Sequence, residues 1–316
     1  MWRFFNWKIM DAGKWRGHIA LLSANVIWGI NTPISKTIMP GYLPAGALNY
    51  FRLVGACLAF WLVSLFFKRE KVSKRDLWLL FWAAFFGVMF NQILFLRGLA
   101  MTAPIDAAIV ATTAPIITMI VSAMYLKEPI TWTKVIGVVV GMSGAILLIS
   151  SSHHGVAGEG NMWGNLLCLI SCFSFAIYLT VFKDLISRYS PVTIMKWLFL
   201  YGTIACFPVL YKDVMSVDYA SLVPDAWWRI GYVVLFATFL SYLLVPIGQK
   251  NLRPTTLSMY NYVQPLVASF VAVLIGLDTF GLVKGIAGVL VFSGVYIVTQ
   301  SKSRAQVLAE KSMTKK

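Results

Sequence analysis

The sequence predicts an all-α membrane protein, with ten transmembrane helices arranged as two five-helix repeats of opposite orientation. Three observations predict it. Apolar stretches long enough to cross a bilayer follow one another along the chain, Lys and Arg gather in alternate connections between them, and the second half repeats the first.

Hydrophobic residues fill 59% of the 316 positions, and Asp, Glu, Lys and Arg only 12%. Soluble domains carry roughly 25% charged residues, so this chain has too few charges to clothe a surface in water. A bilayer core of about 30 Å takes about 20 residues of apolar helix. Candidate spans of that kind cover 17–38, 44–67, 76–98, 103–126, 132–150, 161–186, 191–211, 228–248, 254–277 and 280–299. Short connections make consecutive spans antiparallel, and no gap is long enough for a soluble domain. The organisation that follows is an N-terminal segment 1–16, a first repeat 17–150, a second repeat 161–299 and a basic tail 300–316.

The net charge of +15 does not form a groove-sized basic patch, so no nucleic-acid partner is expected. The charges mark topology instead. One side collects Arg3, Lys8, Lys14 and Arg16, then Lys68, Arg69, Lys71, Lys74 and Arg75, then Lys127 and Lys134, Lys183 and Arg188, Lys250 and Arg253, and the tail from Lys302. The other side has few, Lys36, Lys212, Arg229 and Lys284 near span ends, with Arg97 at another outer end. By the positive-inside rule both termini are cytoplasmic, in a cell membrane crossed many times. The basic N-terminus resembles the start of a signal peptide. No small-residue cleavage site follows it, and the first apolar stretch is long enough to span, so it reads as a retained first helix.

The repeat is legible by shifting the chain on itself. An offset of 147 places Lys36 on Lys183, Tyr42 on Tyr189 and Pro44 on Pro191. An offset of 150 places Pro104 on Pro254, Pro115 on Pro265, Glu128 on Asp278, Lys134 on Lys284 and Gly144 on Gly294. Each repeat holds an odd number of spans, so the second enters the membrane from the opposite side. Inverted repeats related by an axis in the membrane plane are a transporter architecture, with substrate near the midplane between the halves. Duplication as a short route to a helix bundle is the plainer alternative.

The first half also carries family marks. Trp28-Gly29-Ile30-Asn31 followed by Lys36, Arg52 after Tyr50-Phe51, and Ala103-Pro104 with Pro115 are three of them. Tyr125-Leu126-Lys127-Glu128-Pro129-Ile130-Thr131 and then Gly137, Gly141 and Gly144 complete the set. In order and spacing they resemble EamA-type transporters of the drug/metabolite transporter superfamily, over nearly the whole chain. The second copy departs from the pattern at Asp278, where Glu is usual, and at Phe175, opposite Trp28. The resemblance implies ten spans, cytoplasmic termini and export or exchange of small metabolites, often amino acids. It does not fix the cargo.

Polar side chains inside spans are costly and usually face the bundle interior or a wet cavity. Span one offers Asn25, Trp28 and Asn31; span three Asn91 and Gln92; span four Thr112 and Thr113. Span six offers Tyr178 and Thr180; span eight Ser241 and Tyr242; span nine Tyr260, Asn261 and Gln264. Several coincide under the repeat: Asn91 with Ser241, Gln92 with Tyr242, Asn31 with Tyr178. The expected pocket comprises Trp28, Asn31, Asn91, Gln92, Thr112, Tyr178, Tyr242, Tyr260, Asn261 and Gln264. Amides can donate to a carboxylate and accept from an ammonium, and rings stack on apolar groups and attract cations. The plainer reading is interhelical glue, at about 0.6 kcal/mol per contact.

Pro115 and Pro265 each remove a helix hydrogen bond, and are expected hinges. Arg52 lies about 12 Å of helix rise past Pro44. It is either an anion anchor or, the preferred reading, a side chain that snorkels to the interface or pairs. Asp106, early in span four, is a candidate for proton coupling, with a place in outer water as the plainer reading. Glu128 and Lys134 are expected to organise a cytoplasmic turn.

The glycines of spans five and ten (Gly137, Gly141, Gly144, Gly285, Gly288, Gly294) suit close helix packing, as scaffold or as a dimer face. A homodimer is thus the one protein assembly left open. Otherwise the expected partners are a small-molecule substrate and the lipid bilayer.

No phosphate-cradling loop or metal-ligand cluster is present, so neither an enzyme nor a cofactor is expected. His153 and His154 sit in a glycine-containing loop without an evident partner, and Cys57, Cys168, Cys172 and Cys206 read as small apolar packing residues. Rival cargoes are a multidrug cation, which should meet a buried carboxylate, and a nucleotide sugar, kept open by Arg52 and Lys196. A membrane scaffold is the non-transport rival.

Overall fold

The computed structural model describes residues 12–38, 42–101, 110–151, 162–220, 222–274, 281–302 and 306–307. The described chain is helical and, among the described residues, contains no strand. The helices are α1 (Ala12–Ile38), α2 (Ala45–Ser64), α3 (Lys74–Ala84), a π-helical segment π1 (Phe85–Met89), α4 (Phe90–Met101), α5 (Ala114–Tyr125) and α6 (Trp132–Ser151). After residue 162 come α7 (Met162–Val181), α8 (Lys183–Arg188), α9 (Pro191–Met215), α10 (Pro224–Tyr232), a second π segment π2 (Val233–Leu240) and α11 (Ser241–Asn251). The chain continues through α12 (Pro254–Met259), a 3-10 turn (Tyr260–Tyr262), α13 (Val263–Leu274) and α14 (Leu282–Gln300).

Among the described residues, five helices are long and apolar enough to cross a membrane: Ala45–Ser64, Lys74–Phe95, Met162–Val181, Pro191–Met215 and Pro224–Asn251. Ala114–Tyr125, Trp132–Leu147 and Gly285–Gln300 are shorter apolar helices. The other expected spans differ for physical reasons. Lys14, Arg16, His18 and two asparagines dilute α1. The ninth expected span is broken by the 3-10 turn between α12 and α13. Much of the fourth lies outside the described residues.

Leu58, Leu62, Phe66, Trp132, Leu282, Val289 and Tyr296 are exposed, while the opposite faces of the same helices bury Ala56, Phe60, Val138, Ala287 and Val291. Helices that are apolar all round suit lipid on one side and protein on the other. The most extensive helix contacts all join a helix before residue 151 to one after residue 162: α6 with α14, α2 with α9, α4 with α7, and α1 with α11 and α13. The two segments therefore interlock. Phe60, Leu53, Leu80, Phe199, Leu198, Ile194 and Tyr262 belong to the one large buried cluster between them.

Local sequence sets the helix ends. Ser73 and Ser190 cap α3 and α9, accepting from Asp76 N at 3.1 Å and Thr193 N at 3.3 Å. Pro191 sits in the first turn of α9, where its missing N–H costs nothing. Lys127 takes a left-handed conformation (φ 53°) after α5. Glu128 N donates to Ser122 O at 3.2 Å, which also accepts from Leu126 N at 3.0 Å, and so closes the turn. Lys134 then bonds Glu128 at 2.9 Å, so the pair does organise this turn.

Candidate functional site

The two π segments fall at equivalent places: adding 150 to Phe85–Met89 gives 235–239, inside Val233–Leu240. A π turn breaks the i→i−4 ladder and re-aims the side chains around it, which is why such turns recur at functional sites. Hydroxyls take up the displaced carbonyls of π2. Thr238 Oγ1 donates to Val233 O at 2.9 Å and Ser241 Oγ to Phe236 O at 3.0 Å. Trp28 Nε1 reaches across from α1 to Ala237 O at 2.8 Å. On the other side, Ser174 Oγ of α7 reaches Phe86 O of π1 at 2.7 Å.

These contacts assemble a polar and aromatic group deep in the bundle. The Trp28 ring meets Tyr242 edge-on, centroids 5.7 Å apart. Tyr242 packs at 5.1 Å against Phe199, and its hydroxyl accepts from Gln92 Nε2 at 2.8 Å. Arg52 Nε donates to Thr238 Oγ1 at 2.9 Å. The guanidinium therefore bonds a hydroxyl of π2, the pairing alternative of the sequence expectation, and does not snorkel to the interface. Depth could be counted along the helix; the direction of the side chain could not. Gln92 Oε1 is buried and has no hydrogen-bond partner, and both amide atoms of Asn49, one turn before Arg52, are in the same condition.

The other expected pocket residues divide into separate contacts. Tyr262 OH donates to Thr112 O at 2.8 Å. Gln264 Nε2 donates to Asn25 Oδ1 at 2.8 Å, and the Tyr260 hydroxyl meets His18 Nδ1 at 2.7 Å. Asn91 Nδ2 donates to Ser171 O and Oγ, and Ser171 Oγ returns a bond to Asn91 O, so Asn91 ties α4 to α7. Asn31 Oδ1 accepts from Ser35 at 3.2 Å within α1. Tyr178 is buried beside Phe175 and lies so close to Gly87 that a Cβ there would stand 2.5 Å from its ring. Asn261 is half-buried in the 3-10 turn. Pro115 opens α5 just after a turn at Thr112-Thr113, and Pro265 follows the 3-10 turn, so both stand at helix breaks. Asp106, Pro104, His153, His154 and Asp278 lie outside the described residues.

Two of these bonds join residues 150 apart, the offset of the sequence repeat: Gln92 with Tyr242 and Thr112 with Tyr262.

A second polar group gathers at the end that carries most of the basic loops. Asp76 accepts from Tyr189 OH at 2.6 Å and from Arg188 Nη1 at 3.1 Å. Glu70 accepts from Ser190 N and Oγ, both at 2.9 Å through Oε2, and Lys250 Nζ donates to Tyr189 O. Glu128 holds Lys134 and lies within electrostatic reach of Lys183 and Arg253. Acids from before residue 151 thus meet bases and hydroxyls from after 162. Arg188 is largely exposed, so its ion pair is worth little; the shielded Tyr189 and Ser190 bonds carry the latch. Sequence reasoning missed this latch, since no spacing links positions 70 and 76 to 188–190.

Burial works against ionisation of Glu70, but hydrogen bonds from Thr193 and Ser190, with Lys250 nearby, outweigh it and hold the carboxyl below its ordinary range. A depressed acid stabilises the state that depresses it at pH above its ordinary value. That contribution is lost as pH falls through the lowered one. Protection of the amides in the first turn of α9, measured against their intrinsic exchange rates at each pH, should therefore fall several-fold on acidification below the ordinary carboxylate range. Glu70→Gln should show the lower protection already at neutral pH and no further acid step; an unchanged acid step in that variant would assign it elsewhere.

All four cysteines are free and buried. Among the described residues, no three His, Cys, Asp or Glu converge to hold a metal ion.

Comparison with known proteins agrees with this geometry. The sequence model of the EamA-like transporter family matches twice, over residues 15–150 and 162–300. A protein of Archaeoglobus fulgidus named as an uncharacterized transporter is 26% identical over 92% of this chain and 99% of its own length. Uncharacterized transporter YetK of Bacillus subtilis is 24% identical over 91% of this chain and 88% of its own. Uncharacterized inner membrane transporter YedA of Escherichia coli is 27% identical over 62% of each. A crystal structure superposes with a TM-score of 0.73 at 17% identity, covering 91% of this chain and 96% of that one, a likeness of fold.

Proposed function

Because this chain belongs to the EamA-like transporter family, we propose that it carries small organic metabolites, amino acids foremost, out across the cytoplasmic membrane by alternating access between two inverted five-helix repeats. The hydrogen bond between Gln92 and Tyr242 carries the reading. It joins repeat-equivalent positions at a buried place where amide, phenol and indole meet, as a substrate site on the axis between inverted halves requires. The family match over both 15–150 and 162–300 supports the two-repeat organisation. The one-sided Lys and Arg support cytoplasmic termini. The latch of Glu70 and Asp76 on residues 188–190 supports a state closed at the basic, cytoplasmic end. Breaking it would admit substrate from that side, with the breaks at Pro115 and Pro265 absorbing the movement.

Counterflow in proteoliposomes tests this. Purified protein preloaded with amino acids should exchange one class saturably, and Gln92→Ala should slow exchange about tenfold, the scale of one charge-assisted or fully buried hydrogen bond, while leaving the melting temperature near that of wild type. Exchange that is normal in both Gln92→Ala and Asn31→Ala would place the substrate elsewhere.

A further inference from the structure

Arg52 is a cation deep in an apolar bundle with no counter-ion among the described residues. It stands about 10 Å of helix rise beyond Ala45 and about 18 Å before Ser64. Its Nε is bonded to a neutral hydroxyl, that of Thr238. Among the described residues no carboxylate pairs with it, and its two terminal nitrogens make no hydrogen bond. The side chain nevertheless keeps partial accessibility. Its head is therefore presented to a space, not sealed into packing.

An uncompensated buried charge is expensive, and such a residue in a membrane protein calls for a partner. The Thr238 bond fixes the guanidinium through Nε and leaves Nη1 and Nη2 available, the pair of donors that matches two oxygens of one carboxylate. The Tyr242 hydroxyl lies within electrostatic reach of Arg52, and on that same hydroxyl sits Gln92, whose Oε1 is an acceptor with nothing to accept. The group thus offers an anion site and, across Tyr242, a lone acceptor. Lys196, the other base that kept a nucleotide sugar open, is engaged on the face of Trp61, 5.1 Å from the ring centroid. One free cation balances a monoanion better than a phosphate dianion.

We infer that Arg52 is the recognition site for a carboxylate on the transported solute, with Gln92 Oε1 accepting from an N–H or O–H group of the same molecule. This deepens the carrier reading and rests on it. Its consequence is selective: amines lacking a carboxylate are excluded, because a cation would meet the unpaired guanidinium.

The test uses full-length protein in detergent and reads thermal stabilisation, which reports binding without transport. The probes are matched sets built on leucine, phenylalanine and threonine: the amino acid, its decarboxylated amine, its methyl ester and its deaminated acid, with methylphosphonate and chloride as other anions. At least one amino acid should raise the melting temperature and its deaminated acid should do so less, while the amine, the ester, methylphosphonate and chloride leave it unchanged. Arg52→Gln should weaken that binding at least tenfold, Arg52→Lys less, and Thr238→Val, which keeps the charge but frees its aim, by an intermediate amount. Stabilisation by amines or esters equal to that by the acids, or by none of the carboxylates, overturns the inference, as does wild-type affinity in a folded Arg52→Gln. Saturable counterflow of amines alone would leave the carrier standing and the carboxylate site refuted.

Discussion

Gly294→Ala should lower the melting temperature of the detergent-solubilised protein by several degrees, more than alanine at any other glycine of the α6–α14 interface. A Cβ at Gly294 would stand 2.4 Å from Gly141 N, 2.6 Å from Gly137 O and 2.6 Å from Gly141 Cα. All three are backbone atoms of α6, so no side chain can rotate out of the way. Relief requires the two helices to separate, and overpacking of this kind costs about 1–3 kcal/mol. Its repeat counterpart Gly144 is tight but less so, with Leu290 Cβ at 2.7 Å and Ala287 O at 2.8 Å. Gly231, in α10, has nothing within 4 Å of the same point; alanine there should be neutral or add up to about 1 kcal/mol through helix propensity. The expected order of loss is Gly294, then Gly144, with Gly231→Ala at or above wild type, read by thermal size-exclusion with fluorescence detection. Equal melting in all three variants would mean that α6 and α14 do not touch along this stripe. Gly137, Gly144 and Gly294 thus each face a helix of the same chain.

How far the sequence reached depended on which property carried the signal. Hydropathy and charge made the helical membrane character plain, and self-similarity at 150 picked out Gln92 with Tyr242 before the two were seen to bond. Glu128 and Lys134 were legible because six residues across a Pro-containing turn leave few other places for their charges. Trp28 and Tyr242 were each visible as aromatic or polar residues in a span, but their contact depends on π2, and no hydropathy pattern encodes a π turn. Arg52 shows the same limit: its depth follows from helix rise, whereas its aim depends on Thr238, 186 positions away. The bond of Asn91 to Ser171 was not legible, because an amide facing a neighbouring helix and one facing a cavity have the same sequence signature. Span nine falls short of a uniform helix because a 3-10 turn interrupts it, whereas span one is one continuous helix, less apolar because of its polar side chains.

The same reasoning predicts an asymmetry in the buried charges. Lys134 is 1% exposed and Glu128 10%, joined at 2.9 Å. Removing one partner of such a pair strands the other and typically costs about 3–5 kcal/mol. The two removals are not equivalent here. Glu128 also faces Lys183 and Arg253, both of which burial already disfavours as cations. Glu128→Gln therefore leaves three positive groups around a neutral amide. Lys134→Met leaves a carboxylate still facing two cations, and fills the buried site with a side chain of similar length. The expected result is a large loss of melting temperature for Glu128→Gln, about 3 kcal/mol or more, and a markedly smaller one for Lys134→Met. The double variant should lie between them, because deleting Lys134 relieves one of the three stranded charges. Salt should change the ranking little, since shielded pairs are screened far less than surface ones. If Lys134→Met were the more damaging single change, Glu128 would not be the common counter-ion, and the tie between the turn after α5 and the bases of α8 and α12 would have to rest on packing alone.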